Sequence, residues 1–249
     1  PRAEADRKAE EKRARDEART FTIMRWRENS VGIKPDRRAQ IWVVPVPAPG
    51  EPLPKPVQVT WGYYDHGAVT WSPDGRWLAF AANRTADESF RVRDVFVVPL
   101  PDPDSPAARA SVAPPVPGAE EPGEEERKAL AGRLEQAAAE AEAAFRPRNI
   151  TGGIGAFSLA RFSPDGKTLA VLGHENEYQN ATQPKIYLYP VDGGDPRILD
   201  HWDLEIGDSV GADVRPGGRG VEVTWSPDGQ WLYVPVTHRG ACSVYAFPV

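Results

Sequence analysis

The amino-acid sequence predicts an all-β protein, a partial β-propeller built from four-stranded antiparallel blades. Three observations lead to this prediction. The phrase VTWSPDG occurs at 69–75 and again at 223–229, and a near copy, ARFSPDG, lies at 160–166. Each copy is followed by an apolar run of strand character. The 249 residues also include 26 prolines and 22 glycines, which indicates a chain with many turns.

Each SPDG phrase has the residues of a type I turn, because Ser accepts a local hydrogen bond, Pro presets φ and Gly releases the chain. The residues on either side are therefore predicted to form a β-hairpin. A third strand follows each hairpin (DVFVVPL, KIYLYPV and SVYAFPV), and QIWVVPV at 40–46 is a fourth copy of that strand. The segments VQVTW, PRNIT and PRILD supply closing strands. Each unit is thus a four-stranded meander of the kind that forms a propeller blade.

These repeats divide the chain into four parts. Residues 1–19 are dominated by Ala, Glu, Arg, Lys and Asp and are predicted to form a charged helical linker. Residues 20–100 hold a partial blade and the first full blade. Residues 101–147 form a Pro/Ala/Glu-rich insertion with a candidate helix. Residues 148–249 hold two further blades, the last one incomplete. The few apolar anchors of the candidate helix are Leu130, Leu134 and Phe145.

A complete propeller closes a ring of about 4–8 blades. Three blades and part of a fourth therefore predict either a piece of a longer chain or a chain that pairs with another piece. An open stack of blades would leave strand edges unpaired, which favours aggregation.

Composition excludes several classes of function. The formal net charge is −6, which is opposite to the basic charge of a nucleic-acid-binding domain. No apolar run is long enough to span a bilayer. The single cysteine, Cys242, excludes an internal disulfide and is expected to be a small buried or half-buried residue near a strand. We therefore expect a cytoplasmic protein without membrane or nucleic-acid partners.

The sequence offers little for cofactor, metal or nucleophile chemistry. The four histidines, at 66, 174, 201 and 238, lack a metal-ligand spacing, and no phosphate-binding glycine motif occurs, so no metal or cofactor is expected. The sequence GDSVG at 207–211 matches the nucleophile elbow of α/β-hydrolases, but Pro216 and the glycines after it exclude the helix that such an elbow requires. Ser209 is therefore interpreted as a loop residue. Three Asn-x-Ser/Thr sequences are interpreted as turns: Asn83, Asn149 and Asn180.

The antiparallel order of the strands separates a face of short turns from a face of long polar links. The long links are predicted at 83–93, 173–184 and 200–220. Function concentrates on such loops over a rigid scaffold. The candidate substrate-facing residues combine carboxylates with an arginine, which are the groups that hold the ends of a peptide. They are His174, Glu175, Glu177, Tyr178, Asp213 and Arg215. The alternative is that these side chains bond only to one another and to the loop backbone.

Four stretches of the sequence, taken together, resemble the propeller of the prolyl oligopeptidase family of serine peptidases. They are YDHGAVTWSPDGRWLAFAANR, RRAQIWVVPV, GHENEYQNATQPKIYLYPVDGG and IGDSVGADVR. The branch they resemble most is that of the bacterial acylaminoacyl peptidases and dipeptidyl aminopeptidases. The resemblance covers roughly 20–100 and 148–249, and the insertion at 101–147 departs from the family pattern.

This resemblance implies a two-domain serine peptidase in which a seven-bladed propeller gates access to an α/β-hydrolase domain and admits short peptides. It implies two partners, a C-terminal hydrolase domain of the parent chain and a short acyl-aminoacyl or oligopeptide substrate. It is also compatible with a homo-oligomer. The catalytic triad would lie in the hydrolase domain, so the chain alone is expected to be inactive. Two alternatives remain: a non-enzymatic TolB-like propeller that serves as a protein-binding scaffold, and an independent carbohydrate- or lyase-type propeller enzyme.

Overall fold

The computed structural model of the chain describes residues 27–28, 32–33, 38–85, 92–100, 143, 145–178, 181–199, 204–207 and 222–249. Two units are present, residues 1–36 and residues 37–249. The first unit contributes one short hairpin, in which β1 (Arg27–Glu28) pairs antiparallel with β2 (Gly32–Ile33). The predicted linker at 1–19 and most of the insertion, with Leu130 and Leu134, lie outside the described residues.

The second unit is all-β in its described part and consists of one two-stranded sheet and three four-stranded sheets. The two-stranded sheet pairs β3 (Trp42–Val43) with β4 (Val57–Gln58). We refer to the four-stranded sheets as sheets I, II and III. Sheet I contains β5 (His66–Trp71), β6 (Trp77–Ala82), β7 (Asp94–Pro99) and β8 (Arg148–Asn149). Sheet II contains β9 (Gly155–Phe162), β10 (Thr168–Glu175), β11 (Lys185–Pro190) and β12 (Arg197–Leu199). Sheet III contains β13 (Glu205–Ile206), β14 (Thr224–Trp225), β15 (Trp231–His238) and β16 (Ala241–Pro248).

Sheets I and II are antiparallel meanders whose strands follow one another in chain order, which confirms the predicted blade topology. The predicted closing strands PRNIT and PRILD correspond to β8 and β12, and VQVTW contains β4. The order of strands in these sheets, together with their stacking, is that of a partial β-propeller.

Both faces of the middle sheet are apolar, because it lies between two neighbours. Alternate residues of a strand point to opposite faces. In β10, Leu169 and Val171 pack against sheet I, whereas Ala170 and Leu172 pack against sheet III. Burial of each leucine or valine side chain among these stabilises the fold by about 1.5–3 kcal/mol. Sheet I likewise packs its other face on the β3–β4 sheet, where Phe145 from the end of the insertion stacks on Trp61 at 5.8 Å.

The three SPDG turns have the same hydrogen bonds, which confirms that the repeated phrase is a hairpin turn. In sheet II the Ser163 hydroxyl donates to the Asp165 carboxylate at 2.6 Å and accepts from the backbone N–H of Thr168 at 3.0 Å. The Asp165 carboxylate also accepts from the N–H of Lys167 at 3.0 Å. The bond from the serine hydroxyl lowers the pKa of the aspartate in each turn.

The turns also pack on one another. An added Cβ on Gly166 would lie 3.6 Å from the Pro73 ring, and one on Gly229 would lie 3.7 Å from the Pro164 ring. The proline of one turn therefore lies beside the glycine of the next, and the repeated phrase links neighbouring sheets.

The first strand of each sheet is interrupted at nearly the same height, and the sequence did not predict this. In sheet I a bulge follows Gly67 and places Ala68 at a φ of 51°. In sheet II the pairing of the first strand, β9, with β10 shifts register between Leu172 and Gly173 of β10. In sheet III, β13 pairs with Thr237 and Val236 of β15, and β14 pairs with the same edge farther along. The predicted link at 200–220 is thus wrong at residues 205–206, because these belong to the first strand of sheet III.

Candidate functional site

The two ends of the sheets differ in what they offer a ligand. The turn face, formed by the three SPDG turns, has a cavity of about 400 Å³ lined by residues that include Pro73, Asp74, Asp165 and Lys167. The carboxylates there already accept bonds within their own turns. The loop face is the opposite end, formed by residues 83–85, 92–93, 150–154, 175–178 and 181–184. Its polar side chains include Arg93 and Glu175, which do not belong to a turn, so the loop face is the better candidate for a binding site.

The links of the loop face are shorter than predicted. His174 and Glu175 lie in strand β10, so the link between the second and third strands begins only at Asn176. In sheet III the corresponding link is a tight hairpin at Arg239 and Gly240, both at positive φ, which suits a two-residue turn. The predicted link at 173–184 was therefore too long by three residues.

Two glycines let β9 and β10 approach closely beside Glu175. A Cβ atom on Gly155 would lie 1.9 Å from the carbonyl oxygen of His174. One on Gly173 would lie 2.5 Å from the Phe157 ring. Contacts under 3.0 Å to backbone cannot be tolerated without movement, so the backbone at both positions requires glycine. This close approach sets the position of Glu175, which is exposed and pairs with Gly155.

The loop after β10 is closed by its own polar groups. The carboxylate of Glu177 accepts a hydrogen bond from the hydroxyl of Tyr178, and this bond raises the pKa of that tyrosine. The backbone N–H of Tyr178 donates to the Thr182 hydroxyl at 2.8 Å. The Gln183 amide donates to the Leu204 carbonyl at 2.6 Å, which ties the loop to the segment before sheet III. Both Glu177 and Tyr178 are exposed to solvent.

Arg93, which the sequence did not single out, lies where sheets I and II meet on this face. Its backbone N–H donates to the Gly155 carbonyl at 3.0 Å, and its carbonyl accepts from the N–H of Phe157 at 2.7 Å. Its guanidinium lies beside Gly67, where an added Cβ would be 3.9 Å from it. Burial lowers the pKa of this guanidinium, which remains charged at neutral pH. Gly155 therefore has Arg93 on one side and Glu175 on the other.

A buried polar cluster holds the backbone beneath Arg93. The carboxylate of Asp94 accepts from the Thr151 hydroxyl at 2.7 Å and from the N–H of Gly153 at 2.9 Å. The Thr151 hydroxyl accepts in turn from the N–H of Val95 at 3.1 Å. Burial raises the pKa of the nearby Tyr189 to about 12. This cluster fixes the link between sheets I and II, which runs directly below the site.

Asn83 and Asn149 are turn residues, as predicted. The Asn149 side-chain oxygen accepts from the N–H groups of Thr151 and Gly152, both at 3.0 Å. The Asn83 oxygen accepts from the N–H of Thr85 at 3.0 Å. The third such residue, Asn180, lies outside the described residues.

His66 is a structural residue at the start of β5. One ring nitrogen, Nδ1, lies 3.1 Å from the Ala39 carbonyl, and the ring packs edge-on against Phe80 at 5.4 Å. Burial lowers the pKa of His66. The expectation for Cys242 was wrong in part, because this residue lies in β16 but is exposed.

Asp213, Arg215 and Ser209 lie outside the described residues. In the sequence, the segment that contains them lies between β13 and β14, which both pair with β15. Within the described ranges, no three His, Cys, Asp or Glu side chains are grouped as metal ligands are. No helix in those ranges has the length and apolar character that a bilayer crossing requires.

The chain is similar to known proteins over part of its length. No known family profile matches it. It is 31% identical over 183 residues to the protein named "Uncharacterized peptidase YuxL" from Bacillus subtilis (strain 168). This match covers 73% of the chain but 22% of that protein, so the chain spans less than a quarter of this relative.

Two solved structures overlap with the chain, each at 17% sequence identity. TolB from Agrobacterium tumefaciens matches 78% of this chain and 46% of its own, with a TM-score of 0.40. The tricorn protease matches 78% of this chain and 17% of its own, with a TM-score of 0.38.

Proposed function

We propose that the chain is a propeller segment of a serine peptidase of the prolyl oligopeptidase family. In this proposal it binds and admits short peptides for an α/β-hydrolase domain of the same protein. The observation that carries the proposal is the 31% identity over 183 residues to a protein named as an uncharacterized peptidase. The chain contributes the substrate-side wall and no catalytic residue.

The loop face suits this role because it presents a carboxylate, Glu175, and a guanidinium, Arg93, on backbone that is held by hydrogen bonds. A peptide has a cationic amino end and an anionic carboxyl end, and charge-assisted hydrogen bonds to such groups are the strong ones. In the proposed arrangement Glu175 faces an amino end, and Arg93 faces a carboxylate or a carbonyl oxygen. Both residues lie beside Gly155, whose backbone is held by the β9–β10 ladder and by Arg93 itself.

The two branches of the family named above, the acylaminoacyl peptidases and the dipeptidyl aminopeptidases, would use these two residues differently. An acylated amino end has no charge for a carboxylate to bind, so Arg93 would bind a carbonyl of the acyl-peptide. A free oligopeptide would depend on Glu175 instead. The two variants Arg93→Ala and Glu175→Gln therefore distinguish the substrate classes.

The proposal is tested with the full product of the gene that encodes this chain. We expect it to hydrolyse acetyl-alanyl or alanyl p-nitroanilide, to be inactivated by a serine-directed sulfonyl fluoride, and to leave a stably folded protein such as native lysozyme intact. Residues 1–249 alone should hydrolyse none of these. Hydrolysis by the isolated chain, or a full product inert toward every chromogen, would overturn the proposal and favour the TolB-like scaffold.

Arg93→Ala in that full product should raise KM by about 10- to 150-fold with little change in kcat, because charge-assisted bonds contribute about 1.5–3 kcal/mol. Lys167→Ala on the turn face is the matched control and should leave KM unchanged. Equal effects of the two variants would show that the loop face does not bind the substrate.

A further inference from the structure

The end of the link between sheets I and II has a single apolar side chain. In its sequence Gly-Gly-Ile-Gly, only Ile154 carries side-chain carbon atoms. Gly152 and Gly153 have φ values of 76° and 79°, in the left-handed region that favours glycine. A Cβ atom on Gly155 would lie 1.9 Å from the carbonyl oxygen of His174. The backbone therefore favours glycine at all three positions, and Ile154 is the one residue of this stretch that can contact a ligand through a side chain.

Hydrogen bonds hold the backbone of Ile154 beside the charged residues of the loop face. Its carbonyl accepts from the N–H of Asn176 at 3.2 Å, which continues the β9–β10 ladder one step beyond the pair of Gly155 and Glu175. The next carbonyl, that of Gly155, accepts from the N–H of Arg93 at 3.0 Å. Ile154 therefore has a fixed place directly before the residue that lies between Arg93 and Glu175.

The side chain of Ile154 is exposed although its backbone is held. It is 48% exposed, and Tyr178, two residues after Asn176, is 66% exposed. Within the described residues of the loop face, these are the two large hydrophobic side chains that are exposed. The Tyr178 hydroxyl donates to the carboxylate of Glu177, which restrains the ring. The β-branched Ile154 has few rotamers to lose when a ligand covers it, so little entropy opposes such a contact.

We propose that Ile154 and Tyr178 form an apolar subsite for the side chain of the peptide residue that Arg93 binds. This inference rests on the proposed function and names its substrate class, which is short peptides with a large apolar residue at the bound end. The carboxylate or carbonyl of a bound residue and its side chain are attached to the same Cα. The protein groups that contact them must therefore be neighbours, as Arg93 and Ile154 are through Gly155.

The subsite is tested by titrating residues 1–249 with acetyl-Leu-Ala-Leu and with acetyl-Ala-Ala-Ala, and following the amide NMR shifts at 93, 153–157 and 174–178. We expect the leucine peptide to bind about fivefold more tightly, because partial burial of a leucine side chain is favourable. Ile154→Ser should reduce this ratio to about one and leave the affinity for the alanine peptide within about twofold. Ile154→Leu should keep the preference. The matched control is Ile198→Ser, because Ile198 is 41% exposed in β12, outside the loop face.

The outcomes separate this inference from the proposed function. If neither peptide shifts these amides, peptide binding at the loop face is wrong and the subsite is wrong with it. If the two peptides bind with equal affinity, or if Ile154→Ser keeps the preference, the loop face binds peptides but the apolar subsite is wrong. Loss of the preference in Ile198→Ser would also overturn the subsite, because the effect would then not be local. Tyr178→Phe should retain the preference and Tyr178→Ser should weaken it, and equal loss in both would exclude the ring as a wall of the subsite.

Discussion

Replacing Gly155 by alanine tests the geometry that positions Glu175 on the loop face. The new Cβ would lie 1.9 Å from the carbonyl oxygen of His174, and that oxygen belongs to backbone within the β9–β10 ladder. Relief requires the two strands to separate by more than about 1 Å, a typical overpacking cost of about 1–3 kcal/mol. Separation also weakens the bond from the Arg93 N–H to the Gly155 carbonyl, a loss of about 1 kcal/mol.

We expect Gly155→Ala to lower the free energy of unfolding by about 1–3.5 kcal/mol, because the smaller entropy of the unfolded chain offsets about 0.4–1 kcal/mol of these two losses. Urea unfolding monitored by tryptophan fluorescence measures this change. Gly67→Ala is the matched control, because it also lies in a first strand and its added Cβ has no neighbour closer than 3.9 Å. That variant should stay within about 1 kcal/mol of the wild type. If the two variants are equally stable, the close approach of β9 and β10 is refuted.

Three further predictions concern the turns and the buried histidine. Ser163→Ala should lower stability by about 1–3 kcal/mol in urea unfolding, because the N–H of Thr168 loses its acceptor; an unchanged midpoint would contradict the role of the hydroxyl. Asp165→Asn should be less stable than wild type at pH 7, and the difference should begin to shrink as pH falls below about 3.8, because the folded pKa of this carboxyl lies below that ordinary value and its contribution is lost as pH falls through the folded pKa; a constant difference between pH 7 and pH 3 would be inconsistent with this. In the wild type the unfolded chain takes up a proton on His66 below about pH 6.5 while the folded chain resists it, because burial lowers the folded pKa, so stability should fall with pH from that point. His66→Gln should reduce that slope in unfolding series from pH 7.5 to 5, and an unaltered slope would contradict the assignment.

The repeating part of the fold could be predicted from sequence because its determinants are local. The residues of the SPDG turn specify their own hydrogen bonds, and the apolar runs after Ser72, Ser163 and Ser226 specify strands on either side. The closing strands were found as the short segments that follow each third strand, although the insertion at 101–147 separates β8 from β7. Local signals of this kind do not depend on distant contacts.

The interruption of the first strand could not be predicted in the same way. Glu205 and Ile206 pair with β15, and Thr224 pairs with the same strand although it lies much later in the sequence. A two-residue strand has no periodicity to detect. The same holds for Arg93, whose importance depends on a backbone bridge to Ala156 across a sheet boundary. A signal was present at Gly155 and Gly173, where glycines stand inside strand patterns and indicate close backbone approach.

Backbone NMR shifts of residues 1–249 titrated with acetyl-Ala-Ala-Ala test most directly whether the loop face binds a peptide. We predict that the amides around Arg93, Gly155 and Glu175 shift together, at 93, 153–157 and 174–178, while those of the turns at 74–76, 165–167 and 228–230 stay in place. Arg93→Ala should reduce these shifts at the same peptide concentration. Shifts confined to the turn face, or shifts that Arg93→Ala leaves unchanged, would contradict peptide binding at the loop face.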